Sequence, residues 1–310
     1  MQQPLQRERL ARSADHVIVA FNPRAGSRAR AEKIQHTVDR LTGAGLTVEV
    51  LSDLDSVARS AAEQFASGRL RALVSAGGDG TAAELLNRTP PGVPLCPLPL
   101  GTENLIAKHF GLTSVEVVVR AIIEGNVLRL DAGRAGGRLF LLMISCGFDA
   151  EVICLVHKRR TGHIWRGAYV WPILNVIRTF RYPPLIVSLE NHGGAEPTQL
   201  ITPWIQAFNV PRYAFGFQFC PTGEACDGLL ETITYAGCGF WNMLRYYGCA
   251  RLNFSNWIGD RRVQLARRFS IHCDAPEPVP YQLDGDFGGY LPVEVDVVPE
   301  RLTLVVPPAP

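Results

Sequence analysis

The sequence predicts an α/β protein of two domains: an N-terminal open parallel sheet with helices on both faces, then a mostly antiparallel β-sandwich. Three observations predict it. Over roughly the first 130 residues, strand-length apolar runs alternate with helically spaced segments, the signature of βαβ units. From about Val127 the texture changes to short alternating strands separated by turn residues. The chain is also long for a single core at 310 residues, which favours two domains.

Residues 1–15 are polar and rich in arginine, with no apolar core; they read as a frayed, disordered tail and not as an export signal. His16 to Phe21 is the first strand. Ser27 to Leu41 follows as a helix with Ala31, Ile34, Val38 and Leu41 on one face. Leu46 to Leu51 is the second strand, after a Gly43-Ala44-Gly45 stop. Asp55 to Phe65 is a helix capped by Asp53 or Asp55. Leu70 to Ser75 and Val93 to Leu98 complete the parallel set. Right-handed crossovers then bring the loops at the carboxyl ends of these strands to one sheet edge, where open α/β sheets bind ligands. The second domain, 129–310, is read as strands over Arg129–Ala135, Leu139–Ser145, Leu185–Leu189, Gln199–Asn209, Leu229–Tyr235, Phe269–His272, Tyr281–Leu283 and Leu291–Val298. A helical region over 149–181 interrupts them. Leu302 to Val306 is a last strand that could pair with any part of the sheet.

Apolar residues make up 47% and charged residues 19%, the balance of a globular protein. A formal charge of +2 with no dense basic block argues against nucleic acid as a partner. No apolar run reaches the ~18 residues of a spanning helix. The eight cysteines contain no Cys-x-x-Cys pair and sit among apolar residues, which predicts buried thiols, a cytoplasmic setting and no zinc site.

Four loops carry the chemistry. Asn22-Pro23-Arg24-Ala25-Gly26-Ser27 follows the first strand with a glycine, a cation and a helix-capping serine. Gly77-Gly78-Asp79-Gly80-Thr81 joins the third strand to a helix; its glycines let an anion approach backbone N–H groups. Leu98 to Asn104 repeats the pattern after the fourth strand, with Gly101, Thr102 and Asn104. Asp284-Gly285-Asp286 is an acidic turn whose two acids, two residues apart, point the same way along a strand and could share a cation or position a hydroxyl, and Asp227-Gly228 is a further acidic turn. Each alone reads as an ordinary turn. Together, phosphate cradles on one edge and carboxylates on a second domain meeting it at a cleft are what phosphoryl transfer requires. Neither Gly-x-x-x-x-Gly-Lys-Ser/Thr nor Gly-x-Gly-x-x-Gly occurs after the first strand, which counts against a P-loop enzyme and a dinucleotide dehydrogenase.

These residues resemble the diacylglycerol kinase catalytic-domain superfamily, which groups bacterial lipid kinases with sphingosine, ceramide and diacylglycerol kinases. The match runs through Asn22-Pro23 with Gly26, Gly77 to Thr81 with Glu84 and Asn87, Pro99 to Thr102 with Asn104, Asp227 to Leu230, and Asp284-Gly285. The resemblance implies an ATP-dependent, Mg²⁺-using kinase that phosphorylates a hydroxyl of a diacylglycerol or sphingoid-type lipid. It makes 16–128 the nucleotide-binding domain and 129–310 the lipid-binding domain. Nucleotide contacts carry over to Asn22, Pro23, Arg24, Gly26, Ser27, Gly77, Gly78, Gly80, Thr81, Glu84, Gly101, Thr102 and Asn104. Asp79, Asp284 and Asp286 carry over as catalytic acids, and Asp79, Asp227 and Asp286 as metal ligands. Two positions depart from the pattern. Leu105 stands where bacterial diacylglycerol kinases carry an ion-binding aspartate, and Asp286 stands where the family has glutamate, about one bond, ~1.5 Å, longer. These departures favour Asp79 as the proton acceptor.

Lys158, Arg159, Arg160, Arg166, Arg178 and Arg181 lie among Trp165, Tyr169, Trp171 and Phe180, a composition that suits peripheral contact with an anionic bilayer, though a core helix with a solvated basic face explains it too. Trp241, Tyr246, Tyr247 and Trp257 read as core and interdomain packing, with lining of a lipid tunnel as the lesser alternative. The expected location is cytoplasmic, transiently at the membrane, and a homodimer stays open. An NAD kinase-like enzyme is the competing reading, weakened by Ala83 where an asparagine would precede Glu84. A binding protein that lost catalysis through Leu105 and Asp286 is the third.

Overall fold

The computed structural model describes residues 7–21, 28–158, 170–190, 198–220 and 223–308, which form two units, Met1–Leu130 with Pro299–Pro310, and Asp131–Val298. The first contains β1 (Arg7–Arg9), β2 (His16–Phe21), α1 (Arg28–Gly43), β3 (Thr47–Leu51), α2 (Leu54–Ala66), β4 (Leu70–Gly77), α3 (Asp79–Arg88), β5 (Pro94–Pro99), α4 (Leu105–His109), α5 (Val115–Glu124) and the start of β6 (Asn126–Ala135). The second continues with β7 (Arg138–Phe140), β8 (Met143–Cys146), α6 (Phe148–Lys158), α7 (Val170–Thr179), β9 (Leu185–Leu189), β10 (Thr198–Thr202), β11 (Trp204–Phe208), β12 (Leu230–Tyr235), α8 (Phe240–Arg251), β13 (Arg261–Ala266), β14 (Arg268–His272), β15 (Pro280–Leu283), β16 (Asp286–Tyr290) and β17 (Val293–Val305). The last residues of β17 return to the first unit.

In the first unit the strands run parallel in the order β3-β2-β4-β5, and Thr303 and Leu304 of β17 extend the sheet parallel to β5. All but the last residue of β4 is buried, as expected of a strand covered on both faces. Val17, Val19, Val74, Ala76 and Leu98 pack with Leu41 of α1 and Val118 and Ile122 of α5 in one core. The helix after β3 begins as its sequence dictates: Asp53 accepts the Ser56 N–H at 2.8 Å, capping α2.

Two expectations are corrected here. The predicted frayed tail is ordered from Arg7: Arg7, Glu8 and Arg9 pair antiparallel with Leu128, Val127 and Asn126. The buried Arg71 explains the order, because one guanidinium donates to the carbonyls of Ile122 and Ile123 at the C-terminus of α5 and to Ala11 in the tail. Thr303 and Leu304, grouped from the sequence with the second domain, lie beside Pro94 and Leu95 of β5 in the first unit's sheet.

The second unit is a sandwich. One sheet is antiparallel with six strands, β13-β12-β11-β8-β15-β16, and the other runs β10-β9-β14-β17. Period-two residues from both meet in one core: Ile144, Cys146, Ile205, Ala207 and Leu283 against Leu185, Val187, Phe269, Ile271 and Val295. The predicted strand Gln199–Asn209 is two strands broken at Pro203, and Leu291–Val298 with Leu302–Val306 is one continuous β17. The helical region 149–181 resolves into α6 and α7, with 159–169 outside the described residues. Helix α8 and strands β13 and β16 have no counterpart in the sequence reading.

Candidate active site

The first unit brings two glycine loops into backbone contact at the carboxyl edge of its sheet. Strand β4 ends at Gly77, and the Leu100 N–H after β5 donates to the Gly77 carbonyl at 3.1 Å. A Cβ on Gly101 would lie against Gly78 Cα and 2.9 Å from Gly78 N, closer than real atoms approach. Asn104, buried and left-handed at φ 51°, latches its own loop: Oδ1 accepts the Gly101 N–H at 2.8 Å and Nδ2 donates to the Gly101 carbonyl at 2.9 Å. Gly101→Ala should therefore separate the two loops and lower stability by about 1–3 kcal/mol. Denaturant melts of the variant beside Gly43→Ala, which meets open space and likewise has no left-handed φ, would show whether the contact sets the cost.

Asp79 has a role that the sequence did not disclose. Its Oδ2 accepts the Leu105 N–H at 2.9 Å and Oδ1 the Ile106 N–H at 3.0 Å, so it caps α4 from a different loop. Burial raises its carboxyl above the ordinary range, opposed by those N–H groups and the nearby Lys108 charge. Gly77, Gly78, Gly80, Thr81, Gly101, Thr102 and Asn104 thus lie in two joined loops, with the N-terminus of the ten-residue α3 among them. Glu84 is engaged elsewhere: Oε1 accepts Arg88 Nε at 2.6 Å, and Arg88 also reaches Asp55 at 2.6 Å. Asn22, Pro23, Arg24, Gly26 and Ser27 lie outside the described residues.

In the second unit Asp284-Gly285 is the two-residue turn between β15 and β16, with φ 53° and 88°, the left-handed pair of a tight hairpin. The expectation that Asp284 and Asp286 point together along a strand is corrected. Asp284 sits in the turn and folds back, its Oδ2 accepting the Leu141 N–H at 2.7 Å and its Oδ1 those of Leu142 at 2.7 Å and Met143 at 2.9 Å. Asp286 opens β16 and is half-buried.

A buried polar chain supports this hairpin. Gly285 N–H donates to Gln282 Oε1 at 2.7 Å, Gln282 Nε2 to Ser145 Oγ at 2.7 Å, and Ser145 Oγ–H to Asp149 Oδ2 at 2.7 Å. Asp149 also accepts Trp204 Nε1–H at 2.9 Å and Tyr213 O–H at 3.2 Å, and burial pushes its carboxyl up. Near the other acidic turn, buried Asp131 accepts the Gly228 N–H at 2.7 Å. Burial, then repulsion from Asp131 and Glu224, raises Asp227. The sequence reading missed Asp131 and Asp149; an acid within the apolar run Val127–Ala132, and one directly after Gly147-Phe148, were the available signals.

Among the described residues no three Asp, Glu, His or Cys side chains form a group that could hold an ion. Leu105 offers no donor, and Asp79 already accepts two N–H groups. These residues do not fit a resident Mg²⁺ site.

The diacylglycerol kinase catalytic domain matches residues 16–135, and the YegS C-terminal NAD kinase beta sandwich-like domain matches 142–306. The chain is 26% identical over 302 residues to a Mycobacterium tuberculosis "Diacylglycerol kinase", covering 94% of this chain and 95% of that protein. It is 33% identical over 217 residues to a "Probable lipid kinase YegS-like" of Pseudomonas aeruginosa, 66% of this chain and 68% of that one. A solved Bacillus anthracis diacylglycerol kinase shares the fold, with a TM-score of 0.72 at 20% identity over 96% of this chain and 99% of that one. This chain belongs to the diacylglycerol kinase catalytic-domain family, with a YegS-type β-sandwich domain after the catalytic one, and it is a kinase.

Proposed function

We propose that the protein transfers the γ-phosphoryl group of MgATP to a hydroxyl of a diacylglycerol or sphingoid-type lipid. The observation that carries this reading is the paired-loop cradle, in which Gly78 and Gly101 meet without side chains and Asp79 fixes α4 beside them. Backbone N–H groups at a helix N-terminus favour phosphate charge, and fixed loops hold it without reorganisation during the reaction. Magnesium enters with the nucleotide, as part of the substrate.

Proton removal from the acceptor hydroxyl goes to Asp286 in this reading, the acid at the position where the resembled lipid kinases carry a glutamate. Asp79 and Asp284 serve as anchors, since two and three backbone N–H groups respectively take up their carboxylates. That reassigns the role that the sequence gave to Asp79. Purified protein incubated with γ-labelled ATP and Mg²⁺ should label diacylglycerol or sphingosine in mixed micelles. Label in NAD, or in no lipid of the panel, would refute the proposal.

A further inference from the structure

The second unit exposes an aromatic face that the proposed chemistry does not use. Trp241 is 77% exposed and Trp257 82%, with Phe240, Leu244, Leu252 and Phe254 each more than 40% exposed around them. The sequence expectation that both tryptophans are packing residues is thereby corrected; of that set Tyr246 alone is fully buried. Helix α8 turns Met243, Tyr246 and Ala250 inward, so its apolar exposure is a second, outward stripe at positions 240, 241 and 244. Phe254 and Trp257 follow directly and meet edge to face at 6.3 Å between centroids.

The edge strand β13 extends this face. Val263 and Leu265 are 45% and 55% exposed, and their cross-strand partners are Ile233 and Glu231. Tyr235 lies on that same sheet face by alternation, and its ring meets Tyr246 of α8 at 4.6 Å. Helix and strand therefore present their exposed apolar residues on one side of the sheet.

Charge identifies the occupant. Between Ala236 and Ala266 the chain carries Arg245, Arg251, Arg261 and Arg262 against a single acid, Asp260, which is already paired with Arg245 at 2.6 Å. Arg251 falls on the outward stripe of α8, and among the described residues it has no acidic partner. A second copy seated on this face would oppose arginine to arginine, because a two-fold contact pairs a patch with itself. Exposed tryptophans beside arginines suit the headgroup layer of an anionic bilayer, where the indole lies half-immersed and the guanidinium meets phosphate.

We infer that the face formed by α8, the 252–257 segment and β13 docks on an anionic lipid surface. The inference rests on the lipid acceptor proposed above for its biological sense, but its test does not. Without nucleotide, the full chain should cosediment with vesicles of phosphatidylcholine and phosphatidylglycerol, and bind phosphatidylcholine alone more weakly. Trp241→Ala with Trp257→Ala should reduce that partitioning roughly tenfold or more, and Arg251→Gln roughly fivefold, with a shallower salt dependence. Both changes lie on exposed side chains, and phosphorylation of micellar diacylglycerol should be unchanged. Partitioning unaffected by the double variant would overturn the inference. So would a tryptophan-dependent dimer in sedimentation with vesicle binding intact. Vesicle binding by a protein that phosphorylates no lipid would uphold this surface while rejecting the kinase substrate.

Discussion

Asp286→Asn should lower kcat by about 10²–10⁴-fold while leaving the affinity for MgATP unchanged, the range for removing a positioned general base. The physical reason is the division of labour among the three acids. The carboxylates of Asp79 and Asp284 hold backbone N–H groups of α4 and of 141–143, so losing either charge loosens structure as well as chemistry. Asp79→Asn should behave differently. An amide offers one oxygen to two N–H donors, so α4 and the Gly101 loop loosen and MgATP binding weakens together with thermal stability. Single-turnover rates and direct nucleotide titration separate the two cases. If Asp79→Asn keeps its nucleotide affinity and loses turnover more deeply than Asp286→Asn, Asp79 is the base after all.

Asp284→Ala carries the largest expected stability loss, about 3 kcal/mol or more, because hydrogen bonds to a charged acceptor are worth roughly 1.5–3 kcal/mol each. Leu141, Leu142 and Met143 are buried, so water does not replace the lost acceptor. The midpoint of thermal unfolding should fall by roughly 6–12 °C. Asp284→Gly, which suits the φ of 53° but lacks the carboxylate, should be nearly as unstable; Asp284→Asn should fall between. A glycine variant as stable as the parent would show that backbone strain, and not the three N–H bonds, sets the cost.

The parallel sheet was legible in the sequence because strand-length apolar runs and capped helices are local signals, and β2, β4, β5 and α2 formed within one or two residues of their predicted ends. Helix α8 was missed for a physical reason. Its outward stripe of Phe240, Trp241 and Leu244 erases the one-sided apolar pattern by which helices are recognised. The tail's first strand was missed because Arg7, Glu8 and Arg9 are all polar, and their order depends on Arg71 and Arg129 far along the chain.

By itself the sequence determined the family, the two-part architecture and the glycine loops, since phosphate-friendly turns need particular residues in consecutive positions. Only the tertiary structure decided which backbone N–H groups Asp79 and Asp284 accept. The three N–H groups on Asp284 come from residues more than 140 positions away, and the two on Asp79 from the neighbouring loop. A carboxylate's partners are set by which backbone amides folding leaves without a carbonyl, and that is a property of the assembled chain.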